Sequence, residues 1–246
     1  MAYVMKREEF VSRCRGAALN YKTLYVKGCF GAPMTETNKA RYSANNSYNE
    51  GRADIINGAS ADTFGFDCVC FVKGILWGWC GDVDAVYGGA VYASGGVPDI
   101  GTESMIEACS DVSEDFSMIE AGELLWMSGH AGVYLGGGLA AECTPSWSGG
   151  VQITAVGNIG EVSGYRSRCW TRHGRLPYVD YADEASADFT SDGGTSKGCA
   201  SEWAEEATEA AKAAGVFVGD ETGDYNWQGA LTREAAAVVL HRLGLF

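Results

Sequence analysis

After Asp67 the chain continues Cys-Val-Cys-Phe-Val-Lys-Gly-Ile-Leu-Trp77, and apolar side chains at Phe71, Val72, Ile75 and Leu76 require a helix buried in the core. The preceding Thr63-Phe-Gly-Phe66 is turn-like, and Asp67 is a good N-cap, so Cys68 falls on the first turn. Unpaired N–H groups and the positive end of the helix dipole favour a thiolate there, the form that attacks carbonyl carbon. The expectation is a nucleophilic thiol whose pKa is lowered by its position. The same segment also fits a small buried cysteine that packs against its own helix.

A thiol of this kind needs a base, and the chain has 3 histidines. His241 falls in a segment patterned as a surface helix. His173 lies in Cys-Trp-Thr-Arg-His-Gly-Arg, among arginines expected to hold it exposed or to lower its pKa. His130 opens Gly129-His-Ala-Gly-Val-Tyr-Leu-Gly136, whose alternation puts His130, Gly132 and Tyr134 on one face of a strand.

After Gly136-Gly-Gly138 comes Leu139-Ala-Ala-Glu142. A glycine loop 136–138 would pair 135 with 139 and hence 132 with 142, giving Glu142 the same face as His130, one diagonal away. From there a carboxylate accepts the imidazole N–H and fixes its tautomer, the orienting role beside a nucleophile and a base. A two-residue loop would turn Glu142 to the other face, where it is a solvated edge residue.

Composition narrows the class. The chain has 246 residues, enough for one domain with a large core and a small appendage, and 32 acidic against 18 basic residues give a net charge of −14. That balance argues against a nucleic-acid partner, which needs a basic footprint. No run of about 18 apolar residues is present, so no membrane span is expected. Met-Ala-Tyr-Val-Met-Lys-Arg-Glu-Glu at the start lacks the apolar stretch of a secretory signal. The 9 cysteines are scattered, and Cys68 and Cys70 point nearly opposite ways on a helix, so neither a disulfide framework nor a metal clasp is expected. No cofactor is implied.

Residues 5–21 pattern as an amphipathic helix with Phe10, Val11, Cys14, Ala17, Ala18 and Leu19 on one side, and 31–62, rich in Asn, Ser and Gly, as an irregular surface excursion. Residues 104–118 read as a short helix, and 123–127, 130–135, 139–144 and 151–156 as strands of an antiparallel sheet. A nucleophile helix packed on a sheet that carries the base is an α+β, papain-like arrangement. Residues 183–200 are a linker by composition, which leaves a domain over 1–182 and a two-helix module over 201–246.

Three motifs, in order, resemble the NlpC/P60 cysteine peptidases of bacterial peptidoglycan: Tyr25 in Leu-Tyr-Val-Lys-Gly-Cys-Phe-Gly, then Gly65-Phe-Asp-Cys68, then Gly129-His-Ala-Gly-Val-Tyr-Leu-Gly136. The resemblance covers about residues 10–180 and implies Cys68 as nucleophile, His130 as base and Glu142 as the third polar residue, with Tyr25 and Asp67 contacting substrate beside the thiol. Val69-Cys70 stands where the family usually has Ser-Gly, and Glu142 where it more often has His, Asn or Gln than Glu. The activity implied is hydrolysis of the stem peptide between D-glutamate and the diamino acid.

Residues 201–246 resemble the S-layer homology motif in Trp203-Ala, Ala214-Gly-Val-Phe-Val-Gly219 and Thr232-Arg-Glu-Ala, which implies a secondary cell-wall polymer as partner; a docking or oligomerisation module is the other account. Together these features fit a phage endolysin held in the host bacterial cytoplasm until lysis and then acting on the wall. The alternatives are an inactive cell-wall-binding or virion structural protein, and an amidase or transferase that uses the same thiol.

Overall fold

The computed structural model describes residues 4–182, 205–217 and 238–239. Its first half holds β1 (Met5–Lys6), α1 (Arg7–Asn20), β2 (Thr23–Tyr25), β3 (Phe30–Pro33), α2 (Glu36–Ser43), α3 (Ser47–Glu50), α4 (Ala53–Gly58), β4 (Phe64–Phe66) and α5 (Cys68–Leu76). There follow α6 (Thr102–Glu107), β5 (Ser110–Ser113), β6 (Leu124–Met127), β7 (His130–Gly136), β8 (Leu139–Cys143), β9 (Val151–Val156), β10 (Ser167–Arg168), β11 (Arg172–Arg175), β12 (Val179–Asp180) and α7 (Glu205–Ala213). The fold is mixed α+β, and its contacts divide the chain into two units, Met1–Asp183 and Glu184–Phe246.

In the first unit a sheet of 7 strands runs β10-β9-β8-β7-β6-β11-β5, antiparallel except for the β10–β9 pair. A second sheet, β2-β4-β3, leads directly into α5, and β1 pairs in parallel with β12. Every residue of α5 is buried, as its apolar surface demands, and the helix packs against β7, β8, β3 and α1. Its one ammonium, Lys73, is bonded to Asp99 and to the carbonyl of Ile100 at 3.0 Å.

The hairpin β7–β8 turns through Gly137 and Gly138, with Gly136 rather than Leu135 paired to Leu139. An irregularity between Tyr134 and Gly136 then restores the register, so Gly132 does face Glu142. The loop was expected to be one residue longer; the bulge supplies the difference.

Four expectations are corrected. Leu19 is 64% exposed, because α1 buries Phe10, Cys14 and Ala17 and a residue two positions past Ala17 points away from that line. Residues 31–62 are not an irregular excursion. Thr35 caps α2 by accepting the N–H of Asn38, Asn46 caps α3 by accepting that of Asn49, and Met34, Tyr42 and Ile56 close a small core with Val26, Cys29 and Ala32. In the stretch 104–118 the helix α6 ends at Glu107, and β5 and a 3₁₀ turn at Phe116–Met118 follow. His173, expected to be held exposed or to have its pKa lowered by the neighbouring arginines, is not exposed: it is 4% exposed on β11 between β6 and β5. Its Nδ1 bonds Glu123 and its Nε2 donates to the carbonyl of Asp115 at 2.8 Å, which compensates both ring nitrogens for burial.

In the second unit α7 ends at Ala213 and Gly215, with φ at +66°, turns the chain away; Gly215 N–H donates to the carbonyl of Lys212 and Val216 N–H to that of Ala211, the paired bonds of a Schellman stop. The linker 183–200, Trp203, Thr232 and His241 lie outside the described residues. Among the described residues no helix is long and apolar enough to cross a membrane.

Candidate active site

The start of α5 is fixed by Asp67, whose Oδ1 accepts the N–H of Cys70 at 2.7 Å while Oδ2 accepts that of Gly28 at 2.7 Å. One carboxylate therefore caps the helix and ties down the segment after β2. Asp67 itself is buried, and both its oxygens are committed to backbone rather than turned to a cleft.

Cys68 is 5% exposed. Its thiol donates to the carbonyl of Gly129 at 3.9 Å and lies against the N–H of Ala131, so the sulfur sits beside the two residues that flank His130. Burial, and secondly the charge of Asp67, push the thiol up to about 11; the N–H groups of Ala131, Val69 and Cys68 oppose this without reversing it. The start of the helix thus does not lower the thiol pKa as the sequence implies, because burial outweighs the N–H groups that face the sulfur. A proton must be taken from this sulfur before it can attack.

On β7, Nε2 of His130 lies 2.7 Å from Oε2 of Glu142 on β8. Glu142 is 0% exposed, and its other oxygen accepts the hydroxyl of Thr154 at 2.7 Å. Arg168 Nε donates to both carboxylate oxygens, at 3.0 and 2.8 Å. Burial raises the carboxyl, but the hydrogen bonds of His130 and Arg168, with the charge of Arg168, outweigh it and hold Glu142 below its ordinary value. An ionised carboxylate only accepts, so Nε2 carries the proton and Nδ1 is left as the basic nitrogen of the neutral ring.

The imidazole stacks on Trp170, with centroids 5.4 Å apart and planes 8° from parallel. Gly132 makes the room: a Cβ there would stand 2.9 Å from the Trp170 ring. Across the thiol, Tyr25 is half-buried and its phenol is pushed well up, by burial first and then by the neighbouring Cys68. Its ring meets Tyr48 edge-on at 5.8 Å, with Lys27 and Arg52 set over Tyr48 at 5.9 and 5.8 Å.

The structure therefore gathers Cys68, His130, Glu142, Tyr25 and Asp67 in one region. It adds Arg168, Thr154 and Trp170, which the sequence reading missed. Thr154 was within reach, since β9 pairs Glu142 with Gln152 and Ala140 with Thr154, which places Thr154 on the same face. Arg168 gave no such signal: β10 has 2 residues and joins β9 in parallel after a long connection. Among the described residues no cluster of three or more His, Cys, Asp or Glu could hold a metal ion. No family model matches the chain, and no curated protein matches it.

Proposed function

We propose that this protein is a cysteine peptidase of papain-like, NlpC/P60-like architecture that hydrolyses an amide bond in the stem peptide of bacterial peptidoglycan. The observation that carries the reading is the convergence, from α5, β7 and β8, of a buried thiol, an imidazole with its Nδ1 available, and a carboxylate that fixes the imidazole tautomer.

In the proposed reaction Nδ1 of His130 takes the proton of Cys68, and the sulfur attacks the amide carbonyl carbon. Backbone N–H groups at the start of α5 receive the developing oxyanion. Collapse of the tetrahedral intermediate breaks the C–N bond, and the imidazolium returns its proton to the leaving amine. Water, deprotonated by the same nitrogen, then attacks the thioester and releases the acid and the free thiol. A thiol pushed up to about 11 makes His130 indispensable to the first step.

The substrate class rests on the resemblance of the three motifs, as does the choice of the bond between D-glutamate and the diamino acid. The role of endolysin, held in the host cytoplasm until lysis, and attachment of residues 201–246 to a secondary wall polymer rest on the same kind of likeness. The test is mass spectrometry of Gram-positive peptidoglycan digested with the protein and with Cys68→Ser. Stem-peptide fragments that appear with the protein and vanish with the variant support the reading. Digestion by neither supports the second reading, an inactive wall-binding or virion protein, which the near-complete burial of the thiol favours.

A further inference from the structure

Glu142 presents a negative charge to the imidazole with no solvent beside it. Alone, such a carboxylate makes the His130–Glu142 pair retain a proton at pH values where a base must be free. Arg168 meets this carboxylate with a single Nε–H shared between its two oxygens. The guanidinium is itself held over two rings, 4.9 Å from the centroid of Trp147 and 5.7 Å from that of Trp170, and Trp170 is the indole that stacks on His130. The other titratable and polar groups facing this cluster are Cys68 from α5, Tyr25 from β2, Cys143 from β8, Glu103 from α6, which accepts the N–H of Gly129 at 3.0 Å, and Thr154 from β9, bonded to Glu142. Asp67 acts on the cluster through Cys68. Among the described residues of this cluster, Arg168 is the cation.

We propose that Arg168 is a positioning residue that cancels the charge of Glu142, so that His130 is oriented by a hydrogen-bond acceptor that is electrically neutral as a pair. The inference rests on the reading of His130 as the base. It explains how a fully buried glutamate can occupy a place that an uncharged amide could fill: the carboxylate supplies the acceptor geometry, and the guanidinium removes the field that would keep the imidazole protonated. The Trp147 and Trp170 rings hold the guanidinium in place, and Trp170 also holds the plane of the imidazole.

The test is an NMR titration of the imidazole Cε1–H signals in the full chain carrying Cys68→Ala, which uncouples the thiol. The chain has 3 histidines, and the His130 signal is the one lost in His130→Gln. Replacing Arg168 by Gln is expected to raise the His130 midpoint by roughly 1 to 3 pH units, the effect of an uncompensated opposite charge at this range. The double variant Glu142→Gln/Arg168→Gln is expected to return it to within about half a unit of the parent. An unchanged or lowered midpoint in folded Arg168→Gln overturns the proposal. If that variant does not fold, the double variant decides: a midpoint near the parent supports cancellation, and one displaced by roughly a unit or more overturns it. Because the titration needs no substrate, its failure is distinct from a failure to cut peptidoglycan, which strikes at the enzymatic reading.

Discussion

Nε2 of His130 and Oε2 of Glu142 stand 2.7 Å apart across neighbouring strands because Gly132, two residues beyond the histidine, pairs directly with Glu142. The contact is thus a property of the β7–β8 register. It places an ionised acceptor where it selects the tautomer that leaves Nδ1 basic.

Replacing Glu142 by Gln leaves the charge of Arg168 uncancelled beside the imidazole, which disfavours the imidazolium that the proposed reaction forms. A fall in kcat of about 10²-fold or more is expected, with a loss of about 3 kcal/mol in stability, at the lower end for a broken buried pair since Arg168 is partly exposed. Steady-state kinetics with thermal unfolding check both values.

The same carboxyl sets an acid limit. Burial raises it, yet the bonds from His130 and Arg168 hold it below its ordinary value of 4.5 in the folded protein. A group depressed on folding contributes stability above its unfolded pKa and loses that contribution as pH falls through the folded one. Melting temperatures followed downward from about pH 6 should therefore fall more steeply below the unfolded value in the parent than in Glu142→Gln. Equal slopes in the two proteins contradict this.

In His130→Ala the thiol of Cys68 loses its proposed base, while the helix α5 still buries it. Iodoacetamide should then label the exposed Cys80 and Cys169 first and reach Cys68 only as pH approaches the value of about 11 to which burial raises it. Peptide mass spectrometry across pH reads this directly; early labelling of Cys68 in that variant would show that the sulfur does not depend on the imidazole.

Gly132→Ala tests the aromatic support. Its Cβ would stand 2.9 Å from the Trp170 ring and 3.0 Å from the carbonyl of Ala141, so the indole must leave the imidazole or the strands must part. The expected cost is about 1–3 kcal/mol, with a change in near-UV circular dichroism and a loss of activity that Trp170→Phe reproduces only in part.

His173→Gln should separate stability from chemistry. Both its ring nitrogens are committed to Glu123 and Asp115, and the site of Cys68 does not include it. The melting temperature falls, by the equivalent of about 1–3 kcal/mol, while Cys68 keeps its labelling profile.

Some of this was legible from residues alone. α5 could be located because an apolar run behind a capping aspartate has few other fates, and the four strands from Leu124 to Val156 showed their alternation. The facing of Gly132 and Glu142 was reached through a loop one residue too long and a bulge not foreseen, two errors that cancel. His173 was misplaced because neighbouring arginines suggested solvent, whereas Glu123 and a backbone carbonyl, distant in sequence, provide its partners. The helices of residues 36–58 were hidden because asparagine and threonine, which resemble loop composition, serve there as caps. The direction of the Cys68 shift was missed since desolvation depends on what covers a residue, and no local pattern reports that.

The parallel pairing of Met5 with Val179 and Lys6 with Asp180, backed by the N–H of Val4 donating to Tyr178, has a consequence for synthesis. The strand that precedes α1 cannot find its partner until nearly the whole first unit has left the ribosome. The apolar line of α1, Phe10, Cys14 and Ala17, packs instead on α5, β7 and β9 and needs no such wait, so the clasp between the two ends of the unit depends on its last strand while the seat of α1 does not.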